Sequence, residues 1–124
     1  MFDTLRILLF GRQPIAKVDN KTLERIINRE FGNCANDVKR KLREISDTPK
    51  GKNRISAAIL KLANKDINAI DSLIKISNRD FRDVVMRAEY PRCLNLDFDE
   101  IKGKEIKQIY FLDWKEYSEW LNKI

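Results

Sequence analysis

Between Asn33 and Tyr90 the apolar residues recur three and four positions apart, in short runs each preceded by a residue able to cap a helix. A segment with this rhythm cannot bury its apolar side chains as a half-buried strand, which needs alternation with a period of two. It has to fold as short amphipathic helices laid against one another. Val38, Leu42 and Ile45 mark one helix over about 34–45, stopped by Asp47-Thr48-Pro49 because the residue before a proline is pushed out of helical geometry. Ile55, Ala58, Ile59 and Leu62 mark a second, which begins after Gly51 with Asn53 as its cap. Ile67, Ile70, Leu73, Ile74 and Ser77 mark a third behind Asp66. Phe81, Val84, Val85 and Ala88 mark a fourth that starts at Asn78 and is ended by Pro91.

Upstream, Leu5, Leu8 and Leu9 predict a short helix closed by Gly11. Thr22 to Phe31 predicts another, capped by Asp19 or Asn20, closed by Gly32, and burying Leu23, Ile26, Ile27 and Phe31. Downstream the period changes. Leu94, Leu96 and Phe98 alternate with Asn95, Asp97 and Asp99, Gln108 to Leu112 is rich in strand-favouring residues, and Lys102-Gly103-Lys104 lies between them as a turn. A small antiparallel hairpin is expected there. Asp113 then caps a last helix with Trp114, Tyr117, Trp120, Leu121 and Ile124 on one face, where the tryptophans serve as core anchors. The expected fold is therefore mainly α: a compact stack of short helices with a small C-terminal β-hairpin and a final aromatic helix.

With 124 residues, of which 43% are hydrophobic, the chain suits a single domain over residues 1–124, since two halves would each be near the lower limit of what a core can stabilise. Cys34 and Cys93 are the only cysteines, too few for a small secreted fold stapled by disulfides, and a reducing cytoplasm is the expected location. The first ten residues include Asp3 and Arg6 and lack a signal-peptide apolar core. No run approaches the ~20 apolar residues of a membrane span, so a membrane is not among the expected partners.

There is no histidine, which removes histidine-based triads and histidine zinc sites from the repertoire of this chain alone. Two cysteines cannot form a Cys₄ cluster, and each is read as a small buried hydrophobe. Four glycines form neither a P-loop nor a dinucleotide fingerprint. The nearest catalytic pattern is Asp97, Asp99, Glu100 and Lys102 followed by Glu105-Ile106-Lys107, where carboxylates and a lysine could serve a divalent-metal nuclease. Similarity to the PD-(D/E)xK nucleases stops at such three-residue matches. In a chain with 35% charged residues these recur by chance, so a solvated face is the expected role. No catalysis, metal or cofactor is expected.

The formal charge of +6 is concentrated centrally. From residue 39 to 54 the chain carries Lys39, Arg40, Lys41, Arg43, Lys50, Lys52 and Arg54 against Glu44 and Asp47. Lys50-Gly51-Lys52-Asn53 leads into a predicted helix, so unpaired N–H groups and lysines could meet one phosphate there. Against that stands a solvated basic face with local pairs such as Arg40 to Glu44. A helix-turn-helix over 53–77 fails on charge, because its second helix carries Asp66 and Asp71 against Lys75 alone. The leading expectation is a small helical protein-interaction or regulatory module, of adaptor or toxin-neutralising type, with Arg82, Arg87, Tyr90 and Arg92, or else the aromatic C-terminal helix, as its interface. The alternative is a non-sequence-specific nucleic-acid or phosphate binder using Lys39, Arg40, Lys41, Arg43, Lys50, Lys52, Asn53 and Arg54.

Overall fold

The computed structural model describes residues 16–47, 49–96 and 103–124, and every regular element among them is helical. Asp19 accepts the backbone N–H of Thr22 at 2.7 Å and so starts α1 (Asn20–Phe31), which Gly32 ends. The bonds to Thr22 hold the Asp19 carboxyl below the usual carboxylate range. A single 3₁₀ turn (Gly32–Cys34) leads into α2 (Ala35–Leu42), and α3 (Pro49–Ala63), α4 (Ile67–Arg79), α5 (Phe81–Glu89), α6 (Pro91–Leu94) and α7 (Gly103–Asn122) follow. Asp66 caps α4 through the Asn68 N–H at 2.9 Å, and Asp80 caps α5 through the Arg82 N–H at 3.1 Å. Between α3 and α4 the chain reverses on two left-handed residues, Asn64 (φ 51°) and Lys65 (φ 67°).

The core is organised around α3, which lies against α1, α4 and α5. Its residues Ala57, Ala58, Ile59 and Leu60 are consecutive and all without accessible surface, as expected of a helix covered on every side. Ile26 and Ile27 of α1, Val38 and Leu42 of α2, Ile70 and Ile74 of α4, and Val84 and Val85 of α5 complete this cluster. A smaller one, made by Met86, Tyr90, Cys93, Ile106 and Tyr110, joins α5, α6 and α7. Trp114 is packed against both clusters and connects them.

One charged pair lies inside. Arg54 of α3 donates from Nε and Nη2 to the two carboxylate oxygens of Glu89, the last residue of α5, at 3.0 and 2.9 Å. Glu89 has no accessible surface. Burial opposes the charge on Arg54, but the bonded carboxylate outweighs it and the guanidinium is held more firmly protonated than usual.

Several expected boundaries move, each for a local reason. Pro49 begins α3 rather than merely ending the preceding helix, since a proline fits the first helical position, where its missing N–H is not needed. Asn53 is therefore inside that helix, and its side chain donates to Asn20 at 2.9 Å. The preceding helix ends at Leu42, although Ile45 beyond it stays buried. Asn78 is not the cap of α5, because its side chain accepts from the Ser46 N–H and donates to the Glu44 carbonyl, tying down the α2–α3 connection.

The hairpin is the larger correction. Gln108 to Leu112 lies within α7, and Leu94 ends the short α6, so these residues are not strands. Over twenty residues the buried set Ile106, Tyr110, Asp113, Tyr117 and Leu121 is spaced by three or four, and that long stripe overrides the strand preference of a five-residue window. Asp113 is consequently mid-helix and not a cap, and Ile124 is exposed. The predicted helix ending at Gly11 and the predicted strand residues 97–98 lie outside the described residues.

Replacing Arg54 by Met leaves the Glu89 carboxylate buried without its cation and is expected to lower stability by about 3–5 kcal/mol, read by urea unfolding followed by circular dichroism. The double variant Arg54→Met/Glu89→Leu should recover most of that loss; a single-variant loss under about 1 kcal/mol would mean that the pair behaves as a solvated one.

Candidate functional site

The basic stretch divides among separate places. Lys39 pairs with Glu24 at 2.7 Å, Arg40 with Asp37 at 3.3 Å and Lys41 with Asp71 at 2.8 Å. The expected Arg40 to Glu44 pair is thus replaced by one in the preceding turn. Lys52 donates to the Arg43 carbonyl at 3.0 Å, satisfying a carbonyl just past the end of α2. Arg54 is taken up by the buried Glu89 carboxylate, and the side chain of Lys50 lies outside what the structure describes. What remains together is Lys39, Arg43, Lys52 and Asn53, which rim a groove of about 240 Å³ between α1, α2 and α3, floored by Leu23, Ile27 and Leu42. Arg40 and Lys41 belong to a separate groove of about 500 Å³ where Asp37, Glu44 and Asp71 balance them.

Of the interface residues expected around α5 and α6, Tyr90 is corrected. Tyr90 has no accessible surface and stacks on Tyr110 with ring centroids 5.3 Å apart, so it is core. Burial, with Tyr110 alongside, raises its hydroxyl above the ordinary phenol range. Arg82 turns back on its own helix cap, with Nε and Nη2 each 3.0 Å from the Asp80 carboxylate. Arg92 donates to Asp113 at 3.0 Å and to both oxygens of Glu116 at 2.9 and 2.5 Å. Of the four, Arg82 and Arg87 are exposed, Arg92 is half-buried and Tyr90 is buried.

The Arg92 cluster has a clear structural task. Asp113, buried in the middle of α7, accepts the backbone N–H groups of Arg92 (3.3 Å) and Cys93 (3.0 Å) as well as the Arg92 guanidinium. A residue of α7 thereby caps the N-terminus of α6, whose first residue is a proline with no side chain able to do so. Hydrogen bonds from Arg92 hold the Glu116 carboxyl below its usual range. Burial, reinforced by the neighbouring Asp113 carboxylate, pushes the Cys93 thiol up to about 12. Cys93 is the buried hydrophobe expected of it, whereas Cys34 is exposed, contrary to expectation. Neither is in a disulfide.

A second surface feature involves the C-terminal helix, through two residues the sequence pattern assigned to a strand. On the outer side of α7, Phe111 and Leu112 are 63% and 51% exposed and border a groove of about 800 Å³ with Gln108, Trp114, Lys115 and Ser118. As strand residues they would have divided between a buried and an exposed face. In a helix whose buried stripe is Tyr110, Asp113 and Tyr117, both fall outside that stripe. Their signal in the sequence was two bulky apolar residues off the helical period, readable only once the segment is known to be helix.

Among the described residues, no three Cys, Asp or Glu side chains gather as a metal site would require, and no helix is long and apolar enough to cross a membrane. The chain matches no known family model, no curated protein and no solved structure.

The two thiols should separate under a thiol reagent. At pH 8 the native protein is expected to release one equivalent of thionitrobenzoate quickly, from Cys34, and the second only after denaturant exposes Cys93. Two fast equivalents, or a fast phase surviving in Cys34→Ser, would contradict the burial and pKa of Cys93.

Proposed function

We propose that this protein is a helical protein-interaction module of adaptor or toxin-neutralising type, acting in the cytoplasm without catalysis of its own, and that it meets its partner through the outer face of α7. The observation that carries this reading is the pair Phe111 and Leu112, adjacent and both more than half exposed. Single apolar side chains on a surface are ordinary. Two in succession, beside the half-buried Trp114 and opening on one groove, form the kind of aromatic and aliphatic anchor that interfaces bury. Burying each would contribute about 1.5–3 kcal/mol relative to leaving it in water.

The face is also held ready. Arg92 grips α7 at Asp113 and Glu116, while Arg25 and Arg29 of α1 donate to the carbonyls of Leu121 and Lys123 at 2.7 and 2.5 Å. Fixing the helix at its middle and its end reduces the ordering cost of a partner's arrival. Free Cys34 and Cys93 accord with a reducing compartment. The nucleic-acid reading has less support. A phosphate backbone is followed by a continuous basic track, and here the central cations divide among two grooves and the core.

Placing the photocrosslinker benzoylphenylalanine at Leu112 and, as a control, at Arg79 tests the reading in cells of the source. A discrete protein adduct is expected from position 112, lost when Phe111→Glu is added, and none from position 79. Equal labelling at both positions, or none at 112, would remove the α7 face as the interface.

A further inference from the structure

We infer that the groove between α1, α2 and α3 is a second binding site, and that its ligand is an acidic peptide segment of a partner protein carrying an aliphatic anchor residue. The inference is independent of the α7 face. Among the described residues the groove presents three cations, Lys39, Arg43 and Lys52, and no carboxylate lines it. The other basic groove, by contrast, is neutralised by its own acids. Lys52 is positioned by its bond to the Arg43 carbonyl, which occupies one of its three donors and leaves two for a ligand. Lys39 is held by Glu24, but that pair is solvent-exposed, with 36% and 60% of the side-chain surface accessible. A pair of that kind is worth little and exchanges readily for a partner's carboxylate.

Floor and size choose the class of ligand. Leu23, Ile27 and Leu42 give an aliphatic base, with Asn53 and Ser56 beside it. Among the described residues no aromatic ring lines the groove for a nucleobase to stack on, and stacking is the usual partner of phosphate contacts in single-strand binding. The volume of about 240 Å³ is below the usual range for small-molecule sites but takes one aliphatic side chain. Carboxylates on either side of such a side chain then meet Lys39, Arg43 and Lys52. Charge complementarity thus sets orientation and association rate, and the anchor sets residence.

Fluorescence anisotropy on the full chain tests this with three labelled probes: a peptide alternating glutamate and leucine, an all-glutamate peptide of equal length, and oligo(dT). The glutamate-leucine peptide is expected to bind at low salt, and the all-glutamate peptide about tenfold more weakly. Arg43→Glu and Lys52→Glu, each shown folded by circular dichroism, should weaken the glutamate-leucine peptide by about tenfold or more. Arg79→Glu, at an exposed position near the end of α4, should leave it unchanged. The inference is overturned by no binding at low salt, by binding indifferent to both Arg43→Glu and Lys52→Glu, or by oligo(dT) binding more tightly than the peptide.

Discussion

Glu89 has no access to water, and a carboxylate so placed is tolerable only against a cation that offers it two hydrogen bonds at once. Arg54 supplies both from one planar group, a geometry lysine cannot reproduce. Because Arg54 belongs to α3 and Glu89 to α5, the pair fixes the rotation of these two helices about their axes. Either helix turning by one residue would leave a charge buried alone. Ala57 and Ala58 complement this constraint with small side chains that let a neighbouring helix come close. Glu89 stands in sequence between Ala88 of the larger apolar cluster and Tyr90 of the smaller, so the junction of the two is specified by charge as well as by shape.

A second buried carboxylate does the same for α7. Asp113 is tied to Arg92 and to the first turn of α6, and the far end of α7 is tied to α1 through Arg25 and Arg29. Arg29 also lies 5.0 Å from the ring centroid of Trp120, so one guanidinium serves the helix C-terminus and an aromatic face together. Directional attachments of this kind hold a helix from one side. The opposite side of α7 can then remain apolar and open without loosening the helix, and Phe111 and Leu112 occupy it.

Much of the helical order was legible because it is local. Asp19, Asp66, Gly32 and the apolar runs behind them act within one or two turns, and the structure uses them as their spacing implies. The misread residues are those with two plausible local roles and a distant tie-breaker. Pro49 can end one helix or start the next. Asn53 and Asn78 resemble caps yet bridge to Asn20 and to Ser46. Asp113 has the sequence context of a cap and the position of a buried anchor. For the candidate site the limit is sharper. Lys52 and Arg54 are both basic and two residues apart, and nothing between them indicates that one turns to a surface groove and the other to Glu89, thirty-five positions away. Tyr90 and Arg92 were legible as large interaction-prone residues, but their partners, Tyr110, Asp113 and Glu116, lie in a segment whose period was read as strand.

Ion pairing redistributes the effect of charge without changing its total. Lys39, Arg40 and Lys41 each have an acid beside them, yet the chain remains at +6, so an acidic partner is drawn from a distance whether or not those pairs form. At short range, screening and local pairs decide, and there the two surfaces differ in kind. Around Phe111 and Leu112 the charged side chains are Lys115 and Glu119, which cancel. Among the described residues the groove at Arg43 and Lys52 is lined by cations and no carboxylate, over an aliphatic floor. As binding surfaces, the first would discriminate by shape and apolar area, the second by sign of charge and by one anchoring side chain. A partner engaging both would be steered by the basic groove and retained by α7, each surface supplying the step for which its chemistry is suited.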